Sequence, residues 1–145
     1  MDKPFYEFQV FDDAFRFEFK SISSEKVIQK AILFQETNLT NYYNLTLADI
    51  LADGSIDVLS KSNNGDLDKI LATVTQTILA FLVFYPIKKI VFTGSTPSRT
   101  RLYQIVLSKE FDKVKERLDI MGITDDKLEH FQRNQSYIGF VISKK

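Results

Sequence analysis

The sequence predicts an α+β fold: an antiparallel strand meander followed by helix, strand, helix and strand, making a mixed sheet with helices mainly on one face. Three observations carry this. Apolar residues recur at every second position early in the chain, with Phe15, Phe17 and Phe19 set against Arg16, Glu18 and Lys20. The period then lengthens, so that Leu67, Ile70, Leu71, Val74, Ile78, Phe81, Leu82 and Tyr85 fall at helical spacing before Pro86 ends the run. Between this helix and a second one lies the short apolar run 90–92, the pattern of a strand buried from both sides.

FYEFQV and FRFEFKSI read as a short strand and a longer one, connected through Asp12 and Asp13. SISSEK turns the chain into VIQKAILFQE, where Val27, Ala31 and Leu33 oppose Ile28, Ile32 and Phe34. Two apolar faces suit a central strand. After NLTN, the segment YYNLTLADIL forms a third strand with Tyr43, Leu45, Leu47 and Asp49 on one face and Tyr42 on the other. Asp53-Gly54 and Asn64-Gly65 are turn signals, with a short strand at 56–59 between them. Asp66 and Asp68 suit the positive end of the helix at 66–85. KKIVFTGS is the next strand. Thr96 then caps a second helix with Pro97 at its first position, running through SRTRLYQIVLSKEFDKVKERL. GITDDKLEHFQRN is expected to form a short helix capped by Thr124, and SYIGFVISKK a closing strand in which Ile138, Phe140 and Ile142 alternate. No repeat, linker or low-complexity tract interrupts the 145 residues, which predicts a single domain over 1–145.

Composition narrows the function. Hydrophobic residues make up 44% and charged ones 26%, as in a globular domain large enough to bury its own core. The 19 basic and 19 acidic residues cancel, which argues against bulk nucleic-acid binding, where phosphate neutralisation supplies most of the affinity. Without cysteine there are no disulfides, thiolate metal sites or cysteine nucleophiles. The N-terminus does not read as a signal peptide, and ILAFLVFYPI is too short to span a bilayer, so a cytoplasmic protein with no membrane partner is expected. No motif asks for a cofactor.

Arg99 and Arg101 stand in the first turn of the second helix, where the helix dipole is itself positive and an anion is welcome. On a helical wheel Arg99 joins the apolar stripe of Leu102, Tyr103 and Val106, while Arg101 looks to solvent. A core-facing guanidinium must be paired. Asp49, ending a strand on the face of Leu45 and Leu47, is the internal candidate, and an Arg99–Asp49 ion pair is expected. The alternative partner is a ligand: free N–H groups, the hydroxyls of Ser95, Thr96 and Ser98, and the two guanidiniums would together form an anion-binding turn from Gly94 to Arg101. The turn has neither the P-loop spacing nor the dinucleotide fingerprint, so no particular nucleotide is implied.

YYNLTLADI, NNGDLDKILATV, FTGSTPSRTRLYQIVL and YIGFVISKK together resemble the successive motifs of an uncharacterised family of small bacterial domains, over about residues 24–145. The chain departs from that pattern at LAD, where the family has a glycine before the aspartate. The resemblance implies membership and no chemistry. It points at Asn44, Asp49, Gly94, Ser95, Thr96, Arg99, Arg101 and Tyr103. The order of elements also resembles ribonuclease H-like folds, as an order only.

Other chemistries have structural explanations close at hand. His130 is the only histidine and is read as a partly exposed structural residue, and no Gly-x-Ser-x-Gly elbow accompanies it. Asp12, Asp13, Asp49, Asp66 and Asp68 could supply a carboxylate magnesium site, but the helix dipole accounts for the last two. The favoured function is a non-enzymatic binding or accessory module taking an anionic small molecule, nucleotide or acidic partner segment at the 94–101 turn. One alternative is a small phosphoesterase or nuclease-like enzyme using Asp49 with Arg99 and Arg101. Another is one component of a two-protein regulatory pair such as a toxin–antitoxin system.

Overall fold

In the computed structural model, which describes residues 4–58, 65–94 and 96–145, one mixed sheet organises the chain. The meander comprises β1 (Gln9–Phe11), β2 (Arg16–Ile22), β3 (Val27–Glu36) and β4 (Tyr42–Ile50), each antiparallel to the one before, and the short β5 (Ile56–Asp57) pairs with the end of β4. Helix α1 (Leu67–Phe84) crosses over to β6 (Lys89–Phe92), which runs parallel to β4. Helix α2 (Pro97–Val114), β7 (Leu118–Ile123), β8 (Leu128–His130) and β9 (Gly139–Lys144) complete the chain. The spatial order is β1-β2-β3-β4-β6-β9-β7-β8. The predicted short strand reaches only Asp57, and Leu59, expected in it, lies outside the described residues, as do Asn64 of the second turn and Ser95.

Register explains which side chains meet. Phe17, Ile32, Leu47 and then Phe19, Lys30, Asp49 line up across β2, β3 and β4, so alternate residues of three strands share the face beneath the helices. There Phe81 of α1 stacks on Phe34 with ring centroids 4.2 Å apart and touches Phe15, Tyr43 and Tyr85. Phe15, Phe17 and Phe19 thus pack into the core, as their alternation with charged residues predicts. Tyr43 is buried and Tyr42 half-exposed, as the strand pattern also predicts. Over the other half of the sheet, Phe111 of α2 packs edge-on against Phe131 and Phe140. Among the described residues α1 is the one helix long and apolar enough to cross a membrane, and more than half of it is buried in this core.

Residues 118–130 overturn an expectation. In place of a helix capped by Thr124 there is a β7–β8 hairpin, with Met121 opposite His130 and Ile123 opposite Leu128. The Thr124 hydroxyl accepts from Lys127 N–H at 3.2 Å and bonds the Asp126 carboxylate at 3.1 Å, closing a turn with the same side-chain chemistry that caps helices. Pairing of LDIMGI with β9 decides between the two readings, and Gly122 is needed there because the Tyr137 ring lies where its Cβ would be. Helix α2 correspondingly ends at Val114 instead of continuing to Leu118.

Candidate functional site

The parallel strands β4 and β6 end at the same edge of the sheet, and both helices begin there. This carboxyl edge is where open α/β arrangements hold ligands. It contains two groups of polar residues.

The first lies under the start of α1. Lys30 and Asp49 face each other across β3 and β4, and the ammonium donates to Asp49 Oδ1 at 2.6 Å with side chains only 6% and 11% exposed. The expected Arg99–Asp49 ion pair is therefore corrected: the described partner of Asp49 is Lys30. The signal was present in the sequence, since Lys30 continues the core-facing set of Ile28, Ile32 and Phe34 and falls in register with Asp49. Beside them Asp66, the residue before α1, accepts from Tyr6 and from the Ser21 hydroxyl through Oδ2, while its buried Oδ1 meets no hydrogen-bond donor among the described residues. Burial first, and then the Asp66 carboxylate, push the Tyr6 phenol above its ordinary pKa. Among the described residues, no three of the acidic groups or His130 come together as a metal site.

The second group surrounds the start of α2. Thr96 caps the helix as expected, accepting from Arg99 N–H at 3.2 Å, with Pro97 in the first turn. Gly94 N–H donates to Thr100 Oγ1 at 2.9 Å, and a Cβ on Gly94 would stand 2.5 Å from Thr100 N, so only glycine lets the strand end pass this close to the helix. The buried residues of α2 are Thr100, Gln104, Val106, Leu107, Phe111 and Val114, so Val106 of the expected stripe is buried as predicted. The rest of that stripe departs from expectation: Leu102 is exposed and Arg99 is only half-buried. Tyr103 stacks on Phe92 at 5.7 Å, which assigns it to packing. Asn44 points to the opposite, exposed side of β4, and Asp49 belongs to the first group.

Arg101 is exposed and donates to Ser136 Oγ at 3.4 Å. It forms one wall of a cleft of about 350 Å³ whose other wall is the β8–β9 loop, carrying Arg133, Asn134 and Ser136, with Ser108 along α2. No carboxylate lines this cleft among the described residues. Arg133 is ion-paired to Asp112 on α2. A neighbouring hollow of about 540 Å³ shares Arg101 and Ser136 and reaches Ser98 in one direction and Asp125 in the other. Gln104 holds the walls together: it is buried and donates through Nε2 to Gln135 O at 2.5 Å. The loop's Tyr137 donates to Glu129 and accepts from Gln132 N–H, both at 3.0 Å. Arg133, Ser136 and Gln104 were not singled out from sequence, because nothing local in QRNQS says which helix it will face.

The model of the family of unknown function DUF6934 matches residues 2–145, and the chain belongs to that family. No curated protein and no solved structure matches the chain.

Proposed function

For this member of a family without an assigned activity, we propose a non-enzymatic binding module whose ligand is an anion held in the cleft between α2 and the β8–β9 loop. The observation that carries the reading is the convergence of Arg101 and Arg133 from two different elements on one cleft lined otherwise by hydroxyls, amides and Ile105. Two guanidiniums with a serine or asparagine beside each suit a phosphate or carboxylate, which accepts several charge-assisted hydrogen bonds at once. The 94–101 turn contributes through Arg101, Ser98 and the positive end of α2. Asp49, required by the enzymatic alternative, is held by Lys30 within the core, which supports a structural role for it.

The test is a thermal-shift and calorimetric titration of the whole protein with inorganic phosphate, nucleoside monophosphates and small dicarboxylates. A ligand at about a hundred times its dissociation constant adds roughly 2.7 kcal/mol of stability, a shift of several degrees. Arg101→Ala is expected to leave the unliganded melting temperature within about 1 °C, since exposed substitutions change stability by less than about 0.5 kcal/mol, and to abolish the shift. Absence of a shift with every anion, or a shift that survives Arg101→Ala, would reject this cleft as the site.

A further inference from the structure

The end of the molecule opposite the carboxyl edge is apolar at its tips. The β1–β2 corner, the β3–β4 turn and the segment from α1 to β6 all come to this end, as shown by Phe15 O accepting from Phe34 N–H, Asn41 O from Lys89 N–H at 2.7 Å, and Asp13 O from the Tyr85 hydroxyl at 2.7 Å. They carry Phe11, Leu39, Val83, Phe84 and Ile87, which are exposed by 40%, 64%, 77%, 63% and 74%. Charge is sorted across the same end. Asp12 and Asp13 occupy one side, and Lys88 and Lys89 the other, with Lys88 over the Tyr43 and Tyr85 rings and Lys89 over Tyr42. Asp12, Asp13 and Ala14 all have left-handed backbones, at φ 53°, 56° and 72°, a conformation unfavourable for non-glycine residues. The buried Ala14 and the Tyr85 bond keep the acidic turn in that shape.

We infer that this end is a self-association surface, joining two copies end to end about a two-fold axis perpendicular to the sheet. Three features select a second copy as the occupant. First, five large apolar side chains stand exposed at the tips, together with charged rims, and an apolar centre with a charged rim is how an interface of ~800 Å² per partner is built. Second, β2 and β6 are three strand spacings apart, about 14 Å. Rotation about the stated axis exchanges the two sides, so the lysines of each copy meet the acidic turn of the other. Third, an isologous contact must be self-complementary, and this end carries Asp12 and Asp13 on one flank and Lys88 and Lys89 on the other, beside the exposed apolar Phe84 and Ile87. An anionic bilayer would instead be opposed by Asp12, Asp13 and Glu36.

Sedimentation velocity of the full chain between 1 and 200 μM tests this. The expected result is a reversible dimer with a micromolar dissociation constant. Phe84→Glu with Ile87→Glu should weaken it at least a hundredfold, while Leu102→Glu, on the outer side of α2, should leave it unchanged. Lys88→Glu with Lys89→Glu should weaken it about tenfold, and adding Asp12→Asn and Asp13→Asn, which tolerate the left-handed backbone, should recover part of that loss. Melting curves of each variant confirm that it is folded. A monomer at 200 μM, a dimer indifferent to the Phe84 and Ile87 changes, or monomers that sediment with phosphatidylcholine–phosphatidylserine vesicles would overturn the inference.

Discussion

Two sets of charges stand at the same edge of the sheet and are treated in opposite ways. Under α1, Lys30 and Asp49 lie inside the core, in register on adjacent strands and in contact with each other. Beside α2, Arg101 lies at the surface with a long bond to Ser136, and Arg133 approaches it from a loop. A buried ion pair exists because each charge has become the solvent of the other, so removing either is destabilising and removing both need not be. A surface arginine owes little to the fold and can be exchanged without unfolding it. The difference separates residues that keep the architecture from residues available to a ligand, although sequence reading groups Asp49 and Arg101 in one site.

The sharpest way to break this comparison is Asp49→Ala. It removes the described partner of the buried Lys30 ammonium and should cost about 3–5 kcal/mol in urea unfolding, whereas Lys30→Met combined with Asp49→Leu should recover most of that loss. A small effect of Asp49→Ala would mean that the pair is not what holds this end. Next in size is Gly94→Ala, where a methyl would meet Thr100 N and Oγ1. The expected loss is about 1–3 kcal/mol, as for other overpacked sites, and phosphate binding should fall with it if the start of α2 forms the cleft. The smallest effect concerns alkaline pH. Tyr6 holds its proton more tightly in the folded protein than in the unfolded chain, as does Tyr137, which burial also raises. The sign follows from linkage: stability is complete below pH 10, the ordinary tyrosine value, and declines as pH rises from there through the raised values. Tyr6→Phe should flatten that decline by its own share in melts between pH 8 and 11, leaving the part due to Tyr137.

Much of the architecture was legible because its signals are local. The Phe15–Phe17–Phe19 alternation, the helical spacing ended by Pro86 and the Thr96-Pro97 cap each depend on neighbours within a few residues. The hairpin at 118–130 was not, since a threonine followed by aspartates closes a turn as readily as it caps a helix, and only pairing with β9 distinguishes them. The site divides in the same manner. Gly94, Thr96 and Arg101 belong to one continuous turn and could be read together, while Arg133 and Ser136 reach the cleft through Gln104 gripping a loop about thirty residues away.

By itself, then, the sequence determined the classes and order of the elements through the start of α2 and the closing strand, the α+β arrangement and the improbability of thiol or histidine-metal chemistry, because periodicity, capping and composition are properties of short segments. Only the tertiary structure decided that Lys30 rather than Arg99 faces Asp49, that Arg101 shares a cleft with Arg133, and that five apolar tips and two signs of charge collect at one end. Those are matters of strand register and of which loops return to the same edge. They depend on contacts between residues far apart in the chain, which no local pattern records.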